Sequence, residues 1–201
     1  MKYLELAIAV LKALEQEENN IEKARTIIMA AIREDRLVHI FGTDARSSAM
    51  ISEVFFRPGM PVHIDPMYDP TLDPAHGAYR NEMALKVDNL APCILDYYER
   101  VQDGDPIILI GADEKMPMFE QSLVWAKQHG LKVIAIAASF AEADVSILTH
   151  ADDNTFMIAV SAILNMLMNV PPEYAWSGSQ TVDLEASREK IDRMLFRVRH
   201  L

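Results

Sequence analysis

The stretch that decides the fold is Leu37–Thr43, LVHIFGT, followed at once by the polar turn Asp44-Ala45-Arg46-Ser47-Ser48 and the apolar-periodic Met50–Phe56. A short run of β-formers that ends in glycine and feeds a helix presents hydroxyls and backbone N–H groups at a helix N-terminus, where an anionic ligand can be held. The design returns at Pro106–Ala112, PIILIGA, but the turn there reads Asp113-Glu114-Lys115, with two acids where a phosphate cradle wants Ser, Thr or Gly. The first turn reads as a ligand loop and the second as a disabled cradle.

Working outward, residues 3–17 place Leu4, Ala7, Ile8, Leu11 and Leu14 on one helical stripe. Asn19-Asn20 break it, and Ile21, Ala24, Ile27, Ile28, Ala31 and Ile32 draw a second stripe ending near Asp35-Arg36. From Leu37 the period changes: strands are predicted at about 37–42, 61–64, 106–110, 132–137 and 144–148, and helices at about 47–56, 80–100, 116–129 and 154–168. The runs PIILI and KVIAIAA are continuously apolar, as strands of a parallel sheet covered on both faces must be. The expected architecture is α/β: a three-layer α/β/α sandwich around a doubly wound, mainly parallel five-stranded sheet with right-handed crossovers. One domain spans 1–201, with a helical pair at 1–36, the α/β core at 37–169 and a C-terminal loop and helix at 170–201, the last helix capped by Asp183 and running to about Val198. Asp65–Gly77, DPMYDPTLDPAHG, carries three Asp-Pro steps that favour extended and turn conformations, so it reads as a functional loop or an ordered connection.

Composition narrows the function. A net charge of −11 argues against nucleic acid and anionic membrane surfaces, which need a basic face. The N-terminal stretch is interrupted by Glu5 and Lys12, unlike a signal peptide or spanning helix, so a cytoplasmic protein is expected. The single cysteine, Cys93, leaves no intrachain disulfide and no Cys-rich metal pattern, and is expected to serve in packing. No cofactor is implied. The apolar helix around AVSAILNMLMN needs cover, which makes a homodimer through that helix and the N-terminal pair the expected assembly.

These motifs resemble the SIS (sugar isomerase) domain, and within it the bacterial phosphoheptose-isomerase-like proteins. The likeness is carried by HIFGTDARSSAMISEVFFRPG, similar to the family's first strand, ligand loop and E-x-F-x-R-x-G helix. It is carried also by GDPIILIGADEKMPMFEQSLVWAKQHGLKVIAIAAS and by the later Ala162-Ile163-Leu164-Asn165. The departures are equally specific. The family's Ser/Gly/Thr phosphate turn is replaced by Gly111-Ala112-Asp113-Glu114, its late Thr-Ser-Thr helix start by Asp152-Asp153-Asn154-Thr155, and a glutamate turn of some relatives by Ala75-His76-Gly77-Ala78.

The resemblance implies a phosphorylated sugar or related small molecule as partner. Its donors would be Thr43, Arg46, Ser47 and Ser48 of the first loop, Ser139 after KVIAIAA, and Asn154 and Thr155 of the late helix. Aldose–ketose isomerisation needs a base near neutral pH, and His76, or Glu82 one helical turn on, is the candidate. Each residue also has a plain alternative. His76 can be an exposed loop residue, Thr43 or Ser47 an N-cap, and Ser139 ordinary turn chemistry. Asp152 or Asp153 reads first as a cap, although with His150, Asp113 and Glu114 it could build a hard-metal site. The leading reading is a sugar-phosphate-binding or regulatory module with an incomplete isomerase site. An active sugar-phosphate isomerase is the alternative, and a pseudo-enzyme with an acidic pocket for a metal or other ligand comes third.

Overall fold

A computed structural model describes residues 2–176. Helix α1 (Lys2–Ala13) runs through a 3-10 turn at Leu14–Glu17 into α2 (Glu18–Arg33). α2 buries Ile21, Ala24, Ile28, Ala31 and Ile32, the stripe its spacing predicts. α1 buries only Ala7 and Val10 and leaves Leu4, Ile8 and Leu11 exposed.

The strands are β1 (Val38–Gly42), β2 (Ile64–Met67), β3 (Pro106–Ile110), β4 (Lys132–Ala137) and β5 (Val145–Leu148), in the order β2-β1-β3-β4-β5 with every pairing parallel. This is the expected doubly wound sheet. Successive side chains point to opposite faces, and both faces are covered. Ile40, Ile108, Ile110, Ile134 and Ile136 pack with α2 and α7 (Phe156–Leu167). Phe41, Ile107, Leu109, Val133 and Ala135 pack with α5 (Leu90–Leu95) and α6 (Pro117–Gln128). Each fully buried Ile or Leu here contributes on the order of 1.5–3 kcal/mol of transfer free energy, so the double covering is the main stabilising term.

Several elements depart from their predicted bounds. The second strand begins at Ile64, because residues before it turn to the chain's far end: Pro61 bridges Ala175 and the Val62 N–H donates to the Tyr174 carbonyl at 3.1 Å. The helix expected over 80–100 is two, α4 (Ala78–Ala84) and α5, separated by Asn89 in the left-handed region at φ 60°. Pro92 forces the break. It lacks an N–H, so it fits only in a first turn, where that donor has no intrahelical partner. The helix expected at 47–56 is α3 (Ala45–Ala49), which starts two residues early because Asp44 caps it and continues as a 3-10 turn over Met50–Glu53. Cys93 is exposed on α5 and packs no core. The helix expected from Asp183 to Val198 lies outside the described residues.

Candidate functional site

Reversal of strand order falls between β1 and β3, and in an open parallel sheet the crevice outside the strand C-termini at that point is where ligands bind. Here it is bounded by the two predicted turns. Thr43 is buried, its N–H and Oγ1 both donating to the Ile110 carbonyl at 2.9 and 3.1 Å. Gly42 and Gly111 allow the close approach: a Cβ on Gly42 would meet the Ser47–Ser48 backbone, and one on Gly111 would lie 2.8 Å from Thr43 Oγ1 and against the Phe119 ring.

Asp44 fills the centre of this arrangement. Its carboxylate accepts the N–H groups of Arg46 and Ser47 at 2.9 and 3.0 Å, the Ser47 hydroxyl at 2.7 Å and, across the crevice, the Ala112 N–H at 2.9 Å. A single carboxylate thus takes the donors that a bound oxyanion would use. Neither Thr43 nor Ser47 is the cap. Ser48 is buried, with no hydrogen-bond partner for its Oγ among the described residues.

The other predicted donors lie along the same edge of the sheet, and most hold protein partners. Arg46 spans from α3 to the turn before α7, donating to the Asp153 carbonyl and Oδ1, both at 3.0 Å, with its guanidinium 5.4 Å from the Phe156 ring centre. In that turn Asp152 Oδ1 accepts from the Asn154 and Thr155 N–H groups and from the buried Thr155 hydroxyl. These bonds, the Thr155 hydroxyl first, hold the Asp152 carboxyl below its ordinary range. Asp152 therefore closes the turn that leads into α7, whose N-cap is Thr155, while Asp153 is the ion-pair partner of Arg46. At the tip of β4, Ser139 donates to Glu114 of the β3 turn. Burial raises the Glu114 carboxyl, but the Ser139 hydroxyl and the Lys115 charge outweigh it and the net shift is downward. Among the described residues no group of three or more His, Cys, Asp or Glu is placed to hold a metal ion.

His76 and Glu82 sit elsewhere, in the segment after β2. His76 is exposed beside Asp73 at 4.0 Å, and Glu82 pairs with Lys86 at 2.9 Å. Glu82 lies on α4, and the loop that carries His76 is built on short capped turns. Asp69 and Asp73 each cap a short 3-10 turn, at Pro70–Leu72 and Pro74–His76, by accepting the Thr71 and Ala75 N–H groups.

A buried polar network escaped the sequence reading. His39, fully buried in β1, places Nδ1 2.8 Å from Asp65 of β2 and Nε2 3.3 Å from Asp105, the residue before β3. Arg100 pairs with Asp65 and Arg36 with Asp105, the latter at 2.8 Å. Two carboxylates can both accept from the ring only if both nitrogens carry protons. Burial lowers the His39 pKa, but hydrogen bonds and charge from Asp105 and Asp65 win and raise it above the ordinary imidazole value. For Asp105 burial pulls upward, and His39 and Arg36 together bring it below the usual carboxylate range. The network lies at the opposite end of β1 from the crevice, about 10 Å along the strand. It joins three strand segments, and the sequence signal was slight: one histidine in an apolar run.

The model of the SIS domain matches residues 2–138. A UPF0309 protein of Geobacillus thermodenitrificans is 27% identical over 125 residues, covering 62% of this chain and 49% of that protein. One from Brucella ovis is 26% identical over 191 residues, covering 94% and 74%. The chain thus spans about half the length of the first of these relatives. In structure, a phosphoheptose isomerase from Neisseria gonorrhoeae superposes with a TM-score of 0.63 at 14% identity, covering 84% of this chain and 96% of that one. One from Francisella tularensis gives 0.59 at 12%, covering 84% and 93%. At such identities the likeness is one of fold, and the resemblance read from the sequence is borne out at that level. No helix among the described residues is long and apolar enough to cross a membrane.

Proposed function

The chain belongs to the SIS domain family, and on that premise we propose that it is a carbohydrate-derivative-binding module, for a phosphorylated sugar or close relative, with an incomplete isomerase site. The observation that carries this reading is the Asp44 carboxylate seated on the amides of Arg46, Ser47 and Ala112. A phosphate dianion approaching those donors meets like charge at low local dielectric, a cost of several kcal/mol unless Asp44 swings away. The ligand therefore engages chiefly through Arg46, Ser48 and Ser139 and the Asn154-Thr155 turn, with Ser47 joining once Asp44 releases its hydroxyl and N–H and Thr43 holding the first loop in place. Exchange of the Arg46 guanidinium from Asp153 to the ligand is inexpensive, because that pair is exposed. Isomerase chemistry lacks support on this side: His76 and Glu82 are exposed and pair within their own segment.

The phosphoheptose-isomerase fold favours a second reading, an active sugar-phosphate isomerase with His76 or Glu82 as base. A thermal-shift screen against sugar phosphates, free sugars and divalent cations, followed by turnover of sedoheptulose 7-phosphate, separates the two. Binding predicts a selective phosphosugar shift that Arg46→Ala or Ser47→Ala removes, without turnover. Turnover that vanishes in His76→Ala makes the enzyme reading correct, and the absence of any sugar response sinks both. The same proposal takes the protein to be cytoplasmic and a homodimer, the dimer being supported by the exposed apolar residues Tyr3, Leu4 and Ile8 on α1 and Met157 on α7.

A further inference from the structure

Glu17 is a carboxylate with only 5% exposure, at the end of the 3-10 turn that joins α1 to α2. Its Oε2 accepts the Asn20 side-chain N–H at 2.9 Å, and its Oε1 lies 2.9 Å from Nε2 of His150, 133 residues away in the chain. Burial raises this carboxyl, but the Asn20 and His150 hydrogen bonds and a backbone bond from Leu148 outweigh it, so the group is held below its ordinary range and is ionised at neutral pH. An ionised carboxylate only accepts, so the imidazole donates from Nε2. His150 itself follows β5 in left-handed backbone, at φ 51°, and its ring is anchored to the elbow between the two N-terminal helices. In the sequence it stood beside Asp152 as a possible metal ligand; in the fold it turns to Glu17 instead.

The turn that carries Asn154 and Thr155 begins two residues further on. It is closed on itself, because Asp152 accepts the N–H groups of Asn154, Thr155 and Phe156 through its side chain or its carbonyl. Arg46 ties it to α3 through Asp153, but those side chains are 38% and 90% exposed, and an exposed pair holds little. We propose that Glu17 and His150 are positioning residues for this turn: the buried carboxylate fixes His150, and His150 fixes where Asn154 and Thr155 stand at the edge of the sheet. The tie keeps the turn in register when Arg46 leaves Asp153 for a ligand. Only the identity of that ligand rests on the sugar-binding reading, since the tie belongs to the free protein.

Amide hydrogen exchange on the full-length chain tests the tie without a ligand. In His150→Ala the amides of Asn154, Thr155 and Phe156 should exchange about 10-fold faster than in wild type, while those of 106–110 keep their rates and report an intact fold. Glu17→Ala should give the same local loss from the other end of the tie. His150→Gln, whose side-chain amide still donates to Glu17, should stay within about 3-fold of wild type. Turn amides that keep wild-type rates in His150→Ala overturn the proposal, as does a loss shared equally by 106–110, because the pair then serves only global stability. A loss that His150→Gln fails to restore overturns it too. Calorimetric titration with sedoheptulose 7-phosphate reads the consequence for binding, an affinity about 10-fold weaker in His150→Ala and recovered in His150→Gln. An affinity unchanged in His150→Ala overturns the positioning role. Absence of binding in the wild type itself removes the sugar-binding reading instead, and the exchange rates then decide the tie.

Discussion

Replacing His39 by leucine tests the physical reasoning most directly. The imidazole is fully buried between Asp65 and Asp105, at 2.8 and 3.3 Å, and its removal leaves two carboxylates facing an apolar side chain. Breaking a buried ionic network by deleting one member costs about 3–5 kcal/mol. Arg100 and Arg36 still partner the two acids, so the low end, about 3 kcal/mol, applies. For a chain of this size that is a fall of roughly 6–12 °C in Tm. The effect must also depend on pH. The folded-state pKa of His39 is raised, so the folded protein binds the proton more tightly than the unfolded chain. Its contribution is fully present below the ordinary imidazole pKa of about 6.5 and is lost as pH rises through the raised folded value. Urea unfolding of wild type and His39→Leu from pH 5.5 to pH 9 should show the stability gap widest at the acid end and narrowing with alkalinity. A gap under about 1 kcal/mol, or one that widens as pH rises, refutes the account.

Asp44→Ala removes the α3 cap and the link to Ala112, and should cost about 1–2 kcal/mol by urea melt; because it frees the same amides, it should also strengthen inorganic phosphate binding measured by calorimetry. Gly111→Ala drives a methyl into Phe119 and Thr43, and should destabilise by about 1–3 kcal/mol and reduce any phosphosugar thermal shift. Arg46→Ala should change Tm by no more than a degree or two, its pair with Asp153 being worth under about 1 kcal/mol, while abolishing the ligand shift. On the acid side, Asp105 and the buried Glu17 both titrate below their ordinary values: burial raises each, and hydrogen bonds from His39 and Arg36, or from Asn20 and His150, outweigh it. Their stabilisation is present above the unfolded carboxylate values and lost as pH falls through the folded ones. Circular dichroism should therefore show an acid transition that moves to higher pH in Asp105→Asn.

The alternation of strand and helix, the continuous apolar runs of β3 and β4 and the glycine-ended turn after β1 could be read directly, because each is a local pattern of period 2 or 3.6 within a few residues. Even the break in the helix expected at 80–100 was marked by Pro92, whose missing N–H acts locally. The candidate donors Thr43, Arg46, Ser47 and Ser48 were legible for the same reason, as a polar turn between a strand and a helix. Their partners were not. Asp44 reaches Ala112 across 68 residues, Arg46 reaches Asp153 across 107, and His39 meets Asp65 and Asp105 across 26 and 66. The sequence by itself determined the doubly wound sheet and which turns lie at its C-terminal edge, since hydrophobic periodicity and chain connectivity dictate both. Only the tertiary structure decided that Asp44 takes the N–H groups of both turns, that His76 and Glu82 stand apart, and that His39 is locked between two acids. Parallel register aligns residues of neighbouring strands irrespective of their separation along the chain, and nothing in the local pattern encodes that alignment.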